Sequence, residues 1–213
     1  IACSSLGQYE RAQEAFRSAL ATCERIGLST MQTLAGLGIA LAKGGKIAEG
    51  RALLERALDE SRQHQGRRIS GYLLVMLAEL HIEANEFESA AENAGEALDS
   101  GSPPLEAFAL ATLTRARVAL GRIDEALESA RAAVALAESG VNIDEYTPLV
   151  HSAHAEALNA SGQHRAARVA IRIARDGLLE TAHRMDDPTL RESFLSRVPE
   201  NIRILAIARA WLG

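Results

Sequence analysis

One arrangement of residues recurs five times in this chain of 213 residues and constrains its fold more than any other feature. In each copy two apolar helical patterns flank a small or polar turn residue, as the stretch from Leu113 to Val134 flanks Gly121. The five turn residues are Gly7, Gly45, Asn85, Gly121 and Gly162. Successive copies lie 38, 40, 36 and 41 residues apart. Because periods of this length are typical of arrays in which each repeat packs on its neighbours, the sequence predicts a helical solenoid.

Small residues recur on one face of the second helix in each copy. Five residues after the turn stand Ala12, Gly50, Ala90, Ala126 and Ala167, and twelve residues after it stand Ala19, Ala57, Ala97, Ala133 and Ala174. Both offsets lie on the same helical face. Because small side chains let two helices approach closely, this face is expected to pack against the first helix of its own pair.

The first helix of four copies carries a recurring position of its own, eight residues before the turn. The pairs there are Leu37-Gly38, Leu77-Ala78, Leu113-Thr114 and His154-Ala155. Together with the small positions of the second helix, this arrangement resembles the tetratricopeptide repeat family, which has Leu-Gly in the first helix and A-x3-F in the second. The resemblance covers residues 1–184 and implies one partial and four full repeats. Because the periods exceed the family's usual length of about 34 residues, the copies are lengthened and degenerate.

Repeats of this kind also resemble the C-terminal sensor arms of bacterial multidomain signalling and transcription-regulatory proteins, and residues 194–213 resemble the end of such proteins. The chain begins at Ile1, inside what should be a first helix. We therefore expect a fragment of a larger bacterial regulatory protein, with another domain next to it.

The composition agrees with a purely helical fold. Apolar residues make up 47% of the chain and aromatic residues only 4%, which is typical of closely packed helices and not of sheets. We predict an all-α superhelix of antiparallel helix pairs over residues 1–184, followed by capping helices over residues 185–213. Such a cap covers the apolar face at the end of a solenoid, and the alternative interpretation is a helix that docks another domain. The residues expected to be buried in it are Leu190, Phe194, Leu195, Ile202, Leu205 and Trp211.

Local signals delimit the helices. A remnant first helix is expected to end at Leu6, and the second full repeat is expected to consist of residues 69–84 and 87–99. Ser102 is the predicted N-cap of the next helix, with proline in its first turn. Asp187-Pro188 starts the C-terminal helices, with a break between them at residues 196–199.

Sequence signatures of catalysis are missing. The chain has no G-x4-G-K-[ST] phosphate loop and no G-x-S-x-G motif. His151 and His154 stand three residues apart, but no third metal ligand follows at a matching helical offset. Because His154 aligns with the leucines of the other repeats, it is expected to be a packed residue at a helix interface. The sequence therefore predicts a protein that is not an enzyme and has no cofactor or metal.

Charge and hydropathy restrict the partners. The net charge is −5 and no repeat concentrates basic residues, which argues against nucleic acid. No apolar run is long enough to span a membrane, and no signal peptide is visible. Cys3 and Cys23 are the only cysteines, and we interpret them as packing residues of a cytoplasmic protein.

Residues 69–114 form an acidic block without any Lys or Arg. Its eight acids are Glu79, Glu83, Glu86, Glu88, Glu92, Glu96, Asp99 and Glu106. One interpretation is a surface that attracts a basic partner. The other is that neighbouring repeats supply the missing cations in space.

The resemblance implies where a partner would bind, because the first helices of tetratricopeptide arrays line a concave groove. Candidate groove residues are Gln32, Ile39, Lys43, Tyr72, Glu79, Glu83, Phe108, Arg115, Glu156 and Asn159. The family's carboxylate-clamping Lys and Asn positions are replaced here by Ala, Val, Ile and Glu. A mixed apolar and acidic groove suits an amphipathic or basic peptide.

Two functions remain open at this point. The first is a non-catalytic scaffold that binds a protein segment, such as a basic peptide, or an adjacent domain of its own polypeptide. The alternative is the inducer-sensing arm of a transcription regulator, in which Tyr72 and Phe108 stack on a small molecule. An enclosed pocket between repeats favours the alternative, and an open groove favours the scaffold.

Overall fold

The computed structural model describes residues 5–64, 66–140, 142–143 and 145–213. Eleven α-helices lie wholly within these ranges, which contain no strand. In chain order they are α1 (Tyr9–Ile26), α2 (Met31–Lys43), α3 (Ile47–Gln63), α4 (Arg67–Glu83), α5 (Phe87–Ala97), α6 (Pro103–Ala119), α7 (Ile123–Glu138), α8 (Thr147–Ala160), α9 (His164–His183), α10 (Pro188–Arg197) and α11 (Pro199–Leu212). A 3-10 turn, Leu98–Ser100, follows α5. The all-α prediction is confirmed, and none of the described helices is long and apolar enough to cross a membrane.

The predicted turn residues close the helix pairs. Gly45, Gly121 and Gly162 have φ of 92°, 73° and 79°, and Asn85 has φ of 61°. This left-handed conformation lets the next N–H reach back into the preceding helix, as when Arg122 N donates to Arg117 O at 2.9 Å. Glycine and asparagine tolerate this conformation best, which explains why these residue types mark every turn.

The small positions lie where the helices of a pair touch. Ala57, Ala90, Ala126, Ala133 and Ala167 are all fully buried. At the α2–α3 crossing, a Cβ added to Gly50 would lie 2.5 Å from Gly38 O, so any side chain there would force the two backbones apart. The predicted packing face is therefore correct in the four full repeats, whereas Ala19 of the partial repeat is exposed on α1 and the prediction is wrong there.

Some predicted boundaries need correction. Helix α4 begins two residues earlier than expected, and α5 ends at Ala97, where the chain tightens into the 3-10 turn. Ser102 has the extended backbone of an N-cap, but its hydroxyl makes no capping hydrogen bond. Residues 1–4, which include Cys3 and most of the predicted remnant helix, lie outside the described residues.

The two C-terminal helices pack on α9 and also reach the start of the chain. Asp187 caps α10, because its side chain accepts hydrogen bonds from Thr189 N and Leu190 N. At the other end of α10, Tyr9 donates its phenolic hydrogen to Arg197 O at 3.1 Å, and Ser193 Oγ donates to Leu6 O at 2.7 Å. The first and last described parts of the array are therefore in direct contact.

The set of residues buried by these helices differs from the predicted one. Ile202 is 44% exposed, whereas Ile204 and Ala208 are buried among Ile171 and Leu178 of α9. The side of α11 that faces α9 is thus rotated from the one predicted, because α11 turns its other side toward the first helices of the repeats. Leu190, Phe194, Leu195, Leu205 and Trp211 are half-buried.

Candidate functional site

The first helices of the four full repeats, α2, α4, α6 and α8, present one set of side chains toward α11. We call this set the inner face; its members are Lys43, Tyr72, Glu79, Phe108, Arg115 and Glu156. Helix α11 is held on it by ion pairs near both ends of the array. Lys43 Nζ lies 2.6 Å from Glu200 Oε1, and Arg203 Nη1 lies 2.6 Å from Glu156 Oε1. The groove expected along these helices therefore holds a helix of the same chain.

A cavity of about 240 Å³ remains between the inner face and the C-terminal helices. We call it the chamber. Its lining residues are Ser5, Phe16, Gly36, Ile39, Lys43, Tyr72, Met76, Phe108, Glu145, Tyr146, Pro148, Leu149, Leu178, Thr181, Phe194, Val198, Glu200 and Asn201. All four first helices contribute to it, so no single repeat contains the site.

Aromatic rings form much of the chamber wall. The rings of Phe108 and Tyr146 are stacked, with centroids 4.9 Å apart and planes inclined by 16°. The ring of Phe16 reaches in from α1 across Gly36, where an added Cβ would come within 2.3 Å of it. Glycine at position 36 thus creates the space that this ring occupies.

A buried ionic network borders the chamber. Glu79 Oε2 pairs with Arg115 Nη1 at 2.5 Å, and Glu79 Oε1 accepts a hydrogen bond from Thr112 at 2.7 Å. Burial raises the pKa of Glu79, but the Arg115 guanidinium and the Thr112 hydroxyl outweigh it and hold that pKa below its ordinary value. Glu79 is therefore ionised and fully engaged within the fold.

Three polar atoms of this region are buried without a hydrogen-bond partner among the described residues: Arg115 Nε, Arg203 Nη2 and Glu200 Oε2. Buried polar groups are normally paired, so these atoms are sites where a ligand or water gains a hydrogen bond. At the edge of the network, partial desolvation and the carboxylates of Glu200 and Glu79 raise the pKa of Glu83.

The structure distributes the ten predicted groove residues among five places. Ile39, Lys43, Tyr72 and Phe108 line the chamber, and Glu79, Arg115 and Glu156 belong to the ionic network. Glu83 lies beside the network. Gln32 is exposed on α2, and Asn159 Oδ1 is hydrogen-bonded to His164 Nδ1 at 2.9 Å.

Sequence reasoning missed the site residues that other elements supply, namely Phe16, Tyr146, Phe194, Glu200 and Arg203. They come from α1, from the connection before α8, and from α10 and α11. The scarcity of aromatic residues was the available signal. The chain has only eight Phe, Tyr and Trp residues, so each of them was a candidate for a specific role.

Four of the eight acids of the acidic block are paired with arginines of neighbouring repeats. Arg51 lies 3.1 Å from Glu86, Arg62 lies 2.7 Å from Glu96, and Arg122 lies 2.7 Å from Glu88. With the Arg115–Glu79 pair, these contacts confirm the interpretation in which the cations come from helices on either side. The hypothesis of an unpaired acidic surface is wrong for these four acids.

The histidines and the described cysteine lie apart from the chamber. Burial lowers the pKa of both His151 and His154, consistent with packed side chains. Cys23 is a free thiol 3.9 Å from Thr33 Oγ1. Within the described ranges no three His, Cys, Asp or Glu side chains are grouped so that they could hold a metal ion.

Comparison with known proteins agrees with this geometry. The sequence model of one family, described as tetratricopeptide repeat, matches residues 31–56, 107–132 and 148–172, which lie in the pairs α2–α3, α6–α7 and α8–α9. No curated protein sequence matches the chain.

Two solved structures have the same fold. MamA AMB-1 is 20% identical, with a TM-score of 0.51 over 82% of this chain and 85% of its own. A thermophilic TPR protein from Thermus thermophilus is 19% identical, with a TM-score of 0.52 over 85% of this chain and 98% of its own. With the helix pairs and their left-handed turns, the three matched stretches identify tetratricopeptide repeats in the chain.

Proposed function

We propose that this chain is a non-catalytic scaffold of a larger cytoplasmic, bacterial regulatory protein, and that its inner face binds a helical segment of a partner protein or of an adjacent domain. Tetratricopeptide repeats generally mediate protein–protein interaction and are typically non-catalytic. The observation that carries the proposal is the position of α11, a helix held along the inner face. A face that holds one amphipathic helix has the shape and chemistry to hold another.

The contacts of α11 define what such a partner needs. Glu200 and Arg203 stand three residues apart and pair with Lys43 and Glu156 of the inner face. Ile204 supplies the buried apolar side chain one residue further on. A competing segment would carry an acid, a base three residues later and an apolar residue next to the base. The base matches the expectation of a basic or amphipathic peptide.

Binding in this place requires α11 to leave the inner face. In the closed arrangement a partner competes with a helix that is covalently attached and therefore present at high effective concentration. On this proposal the arrangement with α11 on the inner face is the unbound form of the scaffold, and partner affinity increases when the contacts of α11 are weakened.

The test is a labelled peptide of residues 198–213 added to two variants of the full chain. Ile204→Asp buries a charge against α9 and should release α11, so the peptide should bind this variant with micromolar affinity. Ile202→Asp is the matched control, because Ile202 is 44% exposed on the same helix. Fluorescence anisotropy should show no binding to the control or to the parent. Equal binding to all three proteins, or binding to none, would contradict the proposal.

A second candidate function is the sensing of a small molecule, and the chamber is the observation that favours it. It is an apolar cavity with a few converging polar groups, which is typical of ligand sites. Tyr72 and Phe108, the two residues expected to stack on a ligand, both line it. Native mass spectrometry of the purified chain tests this candidate, since a small molecule retained in the chamber should add its mass to that of the chain, and its absence would contradict the candidate.

A further inference from the structure

The chamber concentrates the aromatic residues of the chain. Five of the eight Phe, Tyr and Trp side chains line it: Phe16, Tyr72, Phe108, Tyr146 and Phe194. They come from α1, α4, α6, the connection before α8, and α10, so the rings of several repeats meet in the chamber. The faces of aromatic rings carry partial negative charge and attract cations.

The charged groups of the lining also make the potential in the chamber negative. Its only Lys or Arg among the described lining residues, Lys43, is already neutralised by Glu200 Oε1 at 2.6 Å. The second oxygen, Glu200 Oε2, is buried and accepts no hydrogen bond from the described residues. Glu145 adds another carboxylate at the exposed side of the chamber.

Burial and the nearby carboxylates both affect the pKa of the two chamber tyrosines. Burial and then the carboxylates of Glu145 and Glu200 raise the pKa of Tyr72 to about 12. Burial and then Glu145 raise the pKa of Tyr146 as well. Two hydroxyls on different elements are thus subject to the same negative potential.

We infer that the chamber binds a small organic cation, with its ammonium group near the carboxylates of Glu145 and Glu200 and its apolar body against the rings of Phe108, Tyr146 and Phe16. The inference rests on the second candidate function and names its ligand class. An anion would meet Glu145 and Glu200 without an unpaired cation in the described lining. A neutral apolar ligand would gain no attraction from the carboxylates of Glu145 and Glu200 or from the faces of the aromatic rings.

The volume limits the size of the ligand. A cavity of about 150 Å³ lined by apolar side chains accommodates benzene. By proportion, the 240 Å³ chamber accommodates about ten non-hydrogen atoms. A tertiary or quaternary amine with one ring is of this size.

Three probes of nearly equal size separate charge from shape. Phenyltrimethylammonium is the cation, tert-butylbenzene is its neutral isostere and phenylphosphonate is the anion. Ligand-observed nuclear magnetic resonance with the full chain should show the cation binding at least about tenfold more tightly than the neutral probe, and no binding of the anion.

Two variants locate the site. Glu200→Gln should lower the affinity for the cation about tenfold and leave that for the neutral probe within about twofold. Glu192→Gln, an exposed acid on α10, is the matched control and should change neither. Because Glu200→Gln also alters the contact with Lys43, Tyr146→Leu provides a test away from α11. It should lower the cation affinity about threefold through loss of the ring face.

The outcomes distinguish the inference from the function on which it rests. Equal affinities for cation and neutral probe, or tighter binding of the anion, would overturn the cation assignment and leave the chamber as a ligand site. Binding of none of the three probes would overturn both the assignment and the small-molecule candidate. Cation binding that survives Glu200→Gln and Tyr146→Leu unchanged would place the cation elsewhere and also overturn the inference.

Discussion

The interiors of the helix pairs and the inner face are packed in different ways. Inside the pairs, the same small or aliphatic positions recur in every repeat, as at Ala57, Ala126 and Ala167. On the inner face, charged and aromatic side chains meet the C-terminal helices, and the charge at one repeat position changes sign from Glu79 to Arg115 and back to Glu156. The comparison shows that one set of helices can satisfy a periodic packing rule on one side and carry individual, non-repeating contacts on the other.

The largest effect is expected from breaking the buried charge pair of the inner face. Glu79→Gln leaves Arg115, whose side chain is 13% exposed, without its counter-ion. Removing one partner of a buried pair costs about 3–5 kcal/mol, so the free energy of unfolding at pH 7 should fall by that amount in urea denaturation. The control is Glu88→Gln, whose pair with Arg122 is largely exposed and should contribute less than about 1 kcal/mol. Equal losses would mean that the buried Glu79–Arg115 pair stabilises the fold no more than an exposed pair does.

A slightly smaller effect is expected from a cavity inside the last pair. Ile171 is fully buried in α9 and contacts both its own pair and α11. Ile171→Ala should lower the free energy of unfolding by about 2–5 kcal/mol. Ile173→Ala, two residues away and 45% exposed, should change it by less than about 0.5 kcal/mol. Similar values for the two variants would show that the buried face of α9 is assigned incorrectly.

Overpacking a small position tests the periodic rule itself. Ala126 is fully buried between α7 and α6, so Ala126→Leu should cost about 1–3 kcal/mol. Ala132→Leu on the exposed side of α7 serves as control and should be close to neutral. Thermal denaturation followed by circular dichroism is sufficient. A neutral Ala126→Leu would contradict the close helix approach that the repeats require.

The smallest effect concerns Glu83 and has the opposite sign to that of Glu79. Because its pKa is raised in the folded chain, Glu83 favours folding when protonated and loses that contribution as pH rises above the ordinary value of 4.5. Glu83→Gln should therefore raise the melting temperature slightly at pH 7 and have no effect well below pH 4.5. Glu92→Gln, an exposed acid on α5, should show no such dependence. A melting temperature lowered at pH 7 by Glu83→Gln would contradict the raised pKa.

The lowered pKa of Glu79 gives the opposite pH profile. Its contribution to stability is present above the ordinary carboxyl pKa and is lost as pH falls through the lower folded value. The difference in stability between the parent and Glu79→Gln should therefore shrink on acidification. The difference between the parent and Glu83→Gln also disappears on acidification, but at pH 7 it has the opposite sign, because there the variant is the more stable protein.

The sequence by itself determined the helices, their turns and the faces that pair. Gly45, Asn85, Gly121 and Gly162 mark the turns because the chain needs a residue in the left-handed backbone conformation where it reverses direction between two helices. This requirement is local. The small positions follow the helical period because they lie between helices adjacent in the chain. Neither signal depends on the curvature of the array.

Only the tertiary structure decided the chamber, the rotation of α11 and the cations that neutralise the acidic block. Lys43 and Glu200 are 157 residues apart, and Tyr9 and Arg197 are 188 apart. Such pairs meet because small rotations between successive repeats add up along the array and bring its last helices back to the first. The accumulated rotation cannot be read from any single repeat of the sequence. Residues such as Phe16, Tyr146 and Glu200 could therefore be placed together only once the whole chain was folded.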